Sequence, residues 1–195
     1  SKLRVIELLL VTTVPSMVIS IYGMPPLSLV IYTLAGGTLL AISANVMNQV
    51  LEVETDKLME RTSDRPIVTG ELTKTNGIIY SISSGLIGFL ILYSLVTPLS
   101  SFIGLAANIF YVFIYTLILK PRTNQNIVIG GASGAAPVLI GWTATGSELE
   151  TGPWVLFLLV FMWTPAHFWA LSIENKADYK NAEFPMLPIQ ESYKR

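Results

Sequence analysis

The sequence predicts an all-α, polytopic transmembrane helical bundle, and three observations predict it. Hydrophobic residues make up 52% of the 195-residue chain and charged residues only 13%, whereas a soluble domain carries about a quarter charged residues. The apolar residues gather into six runs, each close to the roughly 20 residues that a helix needs to cross a hydrocarbon core. Between the runs, basic residues occur on every second connection only.

The runs are Val5–Tyr22, Leu27–Ala44, Gly77–Val96, Leu99–Leu119, Ile127–Thr145 and Trp154–Ile173. The first leads straight into the second without the small-residue cleavage site of a signal peptide, so it reads as a span. Pro15 in the first run and Pro165 in the sixth predict kinks, which a bundle tolerates where neighbours or water satisfy the freed carbonyls. Gly36 and Gly37 in the second run, Gly85 and Gly88 in the third, and Gly130, Gly131, Gly134, Ala135 and Ala136 in the fifth predict close helix–helix approach. No soluble domain is visible, and residues 1–195 form one transmembrane domain whose long loop is Gln49–Asn76.

Charge orients the bundle. All twelve Lys and Arg residues lie at the start, in Gln49–Asn76, in Lys120–Asn126 or after the sixth run, and the same side holds all the acids but Glu148 and Glu150. The positive-inside rule places both ends in the cytoplasm, or its organellar equivalent if the membrane is the mitochondrial inner one. A net charge of −1 with bases and acids interleaved argues against a nucleic-acid partner. The absence of Cys excludes disulfides and thiolate metal sites.

The charged side carries the chemistry. Asn48, Glu52 and Asp56 are four residues apart, and on a helix such positions share one side within about 80°. Carboxylates at the edge of a low-dielectric medium are costly unless compensated, and a hard divalent cation compensates them well. Mg²⁺ takes one or two protein carboxylates and fills its shell with water and phosphate oxygens. Glu52 and Asp56 therefore suffice as ligands, with Asn48 as a neutral ligand or orienter, and Arg61 and Arg65 can fork onto diphosphate oxygens. Ordinary juxtamembrane salt bridges are the plainer alternative. Glu54 faces away from the ladder if the helix continues, which suits solvation or local pairing.

The stretch around this ladder, NxxxExxxDxxMERTxxRP, resembles the first acidic motif of the UbiA superfamily of intramembrane prenyltransferases, and more narrowly the protoheme IX farnesyltransferases (heme O synthases). YTLILKPRTNQNIVIGGASGAAPVLIGW, Tyr115–Trp142, is similar to the connection between that branch's fourth and fifth spans. WTPAHFWALSIENKADYKNAEFPMLP, Trp163–Pro188, is similar to its second acidic region. The resemblance implies transfer of a farnesyl group from farnesyl diphosphate to a vinyl group of heme B, with addition of water, giving heme O and diphosphate. It implies that Asn48, Glu52 and Asp56 hold one Mg²⁺ and that Asp178 holds or supports a second, with Arg61, Arg65, Lys120 and Arg122 on the phosphates. Other branches have a DxxxD ladder in the second region, whereas this chain has Asp178 followed by Ala182. Glu174 and Asn175 remain alternates there, and Lys176 is a further candidate for a phosphate contact.

The only histidine, His167, lies near the charged end of the sixth run. It is expected either to meet heme, at the iron or a propionate, or to be satisfied by a neighbouring helix. Phe168, Trp169, Trp163, Tyr111 and Tyr115 can shield a carbocation or stack on a porphyrin, with packing as the plainer role of each. Partners implied by the resemblance are membrane lipid and, further on, a heme A synthase or the assembly of a terminal oxidase. Heme O synthases are expected to have about nine spans, so a chain that stops at Arg195 after the sixth reads as C-terminally truncated. Two alternatives are a sister prenyltransferase acting on an aromatic quinone precursor, and a non-catalytic assembly or transport protein. The MERTxxRP and HFWAL blocks argue against the first, and span middles nearly devoid of ionisable residues argue against the second.

Overall fold

A computed structural model of the chain describes residues 3–174 and Pro185. Helix α1 is Leu3–Ser20 and α2 is Leu27–Leu51, after which two single turns, α3 (Val53–Asp56) and α4 (Pro66–Thr69), interrupt a polar loop. Helix α5, Lys74–Leu95, is followed by α6, Pro98–Ile109, which runs on as a π-helical stretch, Phe110–Leu119, and a last turn α7, Lys120–Arg122. The fold continues with α8, Asn126–Ala144, and α9, Thr151–Glu174. Five of these rods, α2, α5, the continuous Pro98–Arg122, α8 and α9, are long and apolar enough to cross a membrane, and α1 is apolar from Val11 to Ser20.

Helix α2 runs seven residues past the end of its apolar run because its polar residues are satisfied inside the bundle. Asn45 Nδ2 donates to the Ala41 carbonyl at 2.9 Å, and Asn48 is buried against Thr116 of the π-helical stretch. Two helix starts are capped in the expected way: Thr73 accepts from Asn76 N at 3.1 Å, and Thr97, ahead of Pro98, accepts from Ser100 N at 3.2 Å.

Small residues set the helix spacing. A Cβ on Gly36 would lie 2.7 Å from Leu92, and one on Gly88 would lie 2.8 Å from the Gly36 carbonyl and 2.9 Å from Leu39, so α2 and α5 touch backbone to backbone. Gly85 meets Ser43, Gly130 meets the Tyr115 ring, and Gly131 meets Thr164. Gly37 and Gly134 meet nothing within 4 Å, so at these two positions smallness serves no contact among the described residues. Interhelical hydrogen bonds add to the packing: Ser16 Oγ to Val138 O at 2.6 Å, Ser81 Oγ to Ser43 O at 2.8 Å, and Asn108 Nδ2 to Leu40 O at 2.8 Å. Helix α8 is the central rod, 61% of its span being buried against 11% for α9. Ile82, Leu86, Leu159 and Met162 point outward, as a surface meant for lipid tails requires.

The hairpin ends gather on opposite sides. At one, Ser20 Oγ meets Thr145 Oγ1 at 2.8 Å, Thr97 Oγ1 donates to Thr143 O at 3.0 Å, and Trp142 Nε1 donates to Glu148 O at 2.9 Å. The other end gathers the α2–α5 loop and the α7–α8 turn, and there the charged side chains meet.

Candidate functional site

The site begins where α2 ends. Glu52, with φ −102° and ψ 15°, interrupts the helix, yet the four-residue hydrogen bonds continue across it, Glu52 N to Asn48 O at 3.0 Å and Asp56 N to Glu52 O at 2.8 Å. The ladder therefore survives as α2 plus one added turn rather than as a single regular helix. Asn48, Glu52 and Asp56 are 3%, 7% and 0% exposed. Three oxygen-bearing side chains are thus withdrawn from solvent side by side.

Each carboxylate is met by a cation from elsewhere. Lys120, at the start of α7, donates through Nζ to Glu52 Oε2 at 2.6 Å, sixty-eight residues away in sequence. Arg65 forms an ion pair with Asp56 Oδ2. The loop is folded so that Arg65 can do this. Val50, Val53 and Ile67 form a small apolar cluster, Met59 is buried, and the buried Thr62 donates its hydroxyl to the Asp56 carbonyl at 2.9 Å. Ile67 and Val50 press on α5 at Gly77, where a Cβ would stand 2.7 Å from Val50. Arg65 then sits directly before α4, with Pro66 as its first residue and Gly70, at φ 84°, closing it in the left-handed conformation.

Glu54 lies only two residues from each ladder acid and behaves oppositely. Its side chain is 75% exposed and pairs with Lys57 at 2.8 Å and Lys74 at 3.9 Å. The hydrogen bond from Lys57, and then the Coulomb attraction of the same ammonium, hold its carboxyl below the usual carboxylate range.

The structure thus brings Asn48, Glu52, Asp56, Arg65 and Lys120 together. Arg61 and Arg122 are exposed in the α3–α4 loop and the α7 turn. His167, near the end of α9, stacks on Trp163 of its own helix with centroids 4.7 Å apart. Asp178, Asn175 and Lys176 lie outside the described residues, as does the side chain of Glu174. The rings of Tyr111 and Tyr115 lie 5.2 Å apart, tilted by 33°.

Two residues escaped the sequence reading. Thr116, 4% exposed, accepts from Asn48 Nδ2 at 3.2 Å. Asn126, fully buried at the start of α8, donates to Thr123 O at 2.7 Å and to Lys120 O and Pro185 O at 3.4 Å each, so it braces the turn that carries Lys120. The available signals were weak: Thr116 stands one helical turn before Lys120, and Asn126, like Asn48, is an amide at the edge of an apolar run.

The donor set fits a divalent cation. Oδ1 of Asp56 is buried with no hydrogen-bond partner among the described residues, a position that leaves a carboxylate oxygen uncompensated. Its neighbours in the ladder are another carboxylate and an amide, the hard oxygen donors that Mg²⁺ prefers. No group of three or more His, Cys, Asp or Glu side chains forms among the described residues, so among these residues a metal here would rest on the two acids and Asn48.

The model of the UbiA prenyltransferase family matches residues 9–195. The chain belongs to this family. It is 48% identical over 187 residues, 96% of its length, to a protoheme IX farnesyltransferase of Paenarthrobacter aurescens, and 45% identical over 194 residues to one of Streptomyces avermitilis. It spans 58% and 64% of the lengths of these two relatives. A solved structure of a UbiA homolog from Archaeoglobus fulgidus bound to DMAPP and Mg²⁺ superposes with a TM-score of 0.76 at 17% identity, covering 99% of this chain and 69% of that one. That likeness supports the all-α membrane fold.

Proposed function

We propose that the chain is the ladder-bearing part of an enzyme that transfers a farnesyl group from farnesyl diphosphate to a vinyl group of heme B, giving heme O and diphosphate. The observation that carries this reading is the buried Asn48–Glu52–Asp56 ladder with Lys120 and Arg65 drawn onto it from separate segments. A buried array of paired charges is a poor device for stability alone, and it matches the needs of an allylic diphosphate, whose leaving group must be neutralised as its charge develops. The names of the relatives support the heme acceptor.

Asn48, Glu52 and Asp56 would hold Mg²⁺, and Asp178 would support a second ion. Bound there, the ion would supply charge neutralisation to a departing diphosphate. Arg65 and Lys120, already at the ladder, are placed to exchange a carboxylate oxygen for a phosphate oxygen, and the exposed Arg61 and Arg122 extend the same positive field. The allylic C–O bond breaks with its electron pair going to diphosphate, the vinyl carbon forms the new C–C bond, and water adds to the resulting cation with release of a proton. A vinyl group needs no base to attack a carbocation. His167 is assigned to heme, at the iron or a propionate. The charged end of the bundle faces the cytoplasm of the cell membrane, by the one-sided distribution of basic residues.

The test is an incubation of membranes containing the full-length protein with heme B, farnesyl diphosphate and Mg²⁺, with the pigment analysed by mass. A heme increased by one farnesyl group and one hydroxyl, the added water less its released proton, is expected. Heme left unmodified, while an aromatic quinone precursor becomes prenylated, would overturn the acceptor assignment.

A further inference from the structure

Thr116 stands one rod away from the ladder and is buried. Its hydroxyl donates to the Tyr111 carbonyl, five residues back, at 2.9 Å. In an α-helix a threonine hydroxyl reaches the carbonyl three or four residues back. The longer reach follows from the wider π turn, whose hydrogen bonds span five residues. A hydroxyl has one hydrogen. With that hydrogen directed at Tyr111, the Thr116 oxygen can only accept from Asn48, whose side-chain amide lies 3.2 Å away. Of the two arms of that amide, only the NH₂ is a donor, so the nitrogen must face Thr116. The oxygen is left on the other arm. A carboxamide binds a hard cation through oxygen alone, so the orientation of this amide decides whether Asn48 can be a ligand.

We propose that Thr116 is a positioning residue: by donating to the Tyr111 carbonyl, it fixes the Asn48 amide with Oδ1 presented to the divalent cation of the Glu52–Asp56 ladder. The inference rests on the metal–diphosphate reading of that ladder. It also gives the π-helical stretch Phe110–Leu119 a use, since long π segments are rare and π turns concentrate at functional sites. Rewinding the stretch as an α-helix would offer the hydroxyl the Val112 carbonyl instead and turn Thr116 relative to Asn48.

The experiment measures Mn²⁺ binding by electron paramagnetic resonance on purified full-length protein, in the presence of inorganic diphosphate. Thr116→Val keeps the shape and loses the hydroxyl; it should weaken Mn²⁺ binding by about 10- to 100-fold, the usual cost of losing the partner that orients a metal ligand. Thr116→Ser, which keeps the hydroxyl, should restore wild-type affinity, and this rescue separates the effect from misfolding. Asn48→Asp supplies two equivalent oxygens and removes the orientation problem, so adding Thr116→Val to it should cost little further affinity. Wild-type affinity in Thr116→Val, or an undiminished penalty in the Asn48→Asp background, would overturn the positioning role. Wild-type protein that binds no Mn²⁺ under these conditions would overturn the reading of the ladder and this inference with it.

Discussion

One end of the bundle is closed by neutral hydrogen bonds and the other by charge. At the first, Ser20, Thr97, Thr143, Thr145 and Trp142 tie the turns through hydroxyls, carbonyls and one indole. At the second, Glu52 with Lys120 and Asp56 with Arg65 are ion pairs largely withdrawn from solvent. Closing helical hairpins requires only what the first end has. The extra charges of the second end carry a desolvation cost that neutral side chains would avoid, a cost that the proposed metal–diphosphate chemistry would account for. The same contrast recurs within five residues: Glu52 and Asp56 are buried and pair with the largely buried Lys120 and Arg65, while Glu54 between them is exposed and pairs with the exposed Lys57 and Lys74.

The largest expected effect is all-or-none. The chain lacks Cys, so a Cys at Ser63 or at Ser147 would be its single thiol in these residues. An impermeant reagent applied from the cytoplasmic side should label Ser63→Cys and leave Ser147→Cys untouched. Labelling of both from one side would collapse the distinction between the ends, and the reverse pattern would invert it.

Next comes Asp56→Asn. It leaves the Arg65 guanidinium facing an amide in a buried place, which should destabilise the loop by about 3–5 kcal/mol. Turnover should fall by about 10²- to 10³-fold, the scale of losing one preorganised charge partner. Activity within a small factor of wild type would show that the buried acids serve structure only.

A smaller effect is expected at the neutral end. A Cβ at Gly141 would overlap the Thr13 carbonyl, which is backbone and has no rotamer to relieve the contact. Gly141→Ala should cost about 1–3 kcal/mol in thermal or denaturant unfolding, as overpacking does, with diphosphate binding unchanged. Loss of that binding in step with stability would mean that the two ends are coupled through α8.

The smallest change is expected from Glu54→Gln, which should leave turnover near wild type because this carboxylate faces away from the ladder. Its lowered pKa has a defined sign. The attraction to Lys57 is present above the ordinary carboxylate range and disappears as pH falls through the depressed pKa. It should therefore separate wild type from variant, if at all, at neutral pH and low salt, and vanish in acid or at high ionic strength. A loss of turnover matching that of Asp56→Asn would contradict the outward orientation of Glu54.

Much of this contrast was present in the sequence, because it depends on local properties. Span length follows from runs of apolar residues, and five of the six expected runs are helices long and apolar enough to cross a membrane. The four-residue spacing was enough to place Asn48, Glu52 and Asp56 together and Glu54 apart, since the helical repeat holds across the break at Glu52. The apolar run ends at Ala44, yet α2 continues to Leu51, because Asn45 and Asn48 find partners within the bundle.

What only the tertiary structure decided is which cation meets which acid and which hydroxyl meets the amide. Sequence spacing gives Lys120 and Arg65 a common side of the membrane with the ladder, but pairing across sixty-eight residues depends on how the rod Pro98–Arg122 lies beside α2, where Gly104 faces Leu40 and Asn108 donates to the Leu40 carbonyl. The π winding of Phe110–Leu119 is likewise beyond local propensity, because its residues would suit an α-helix equally well. With that winding comes the partner of the Thr116 hydroxyl, the Tyr111 carbonyl.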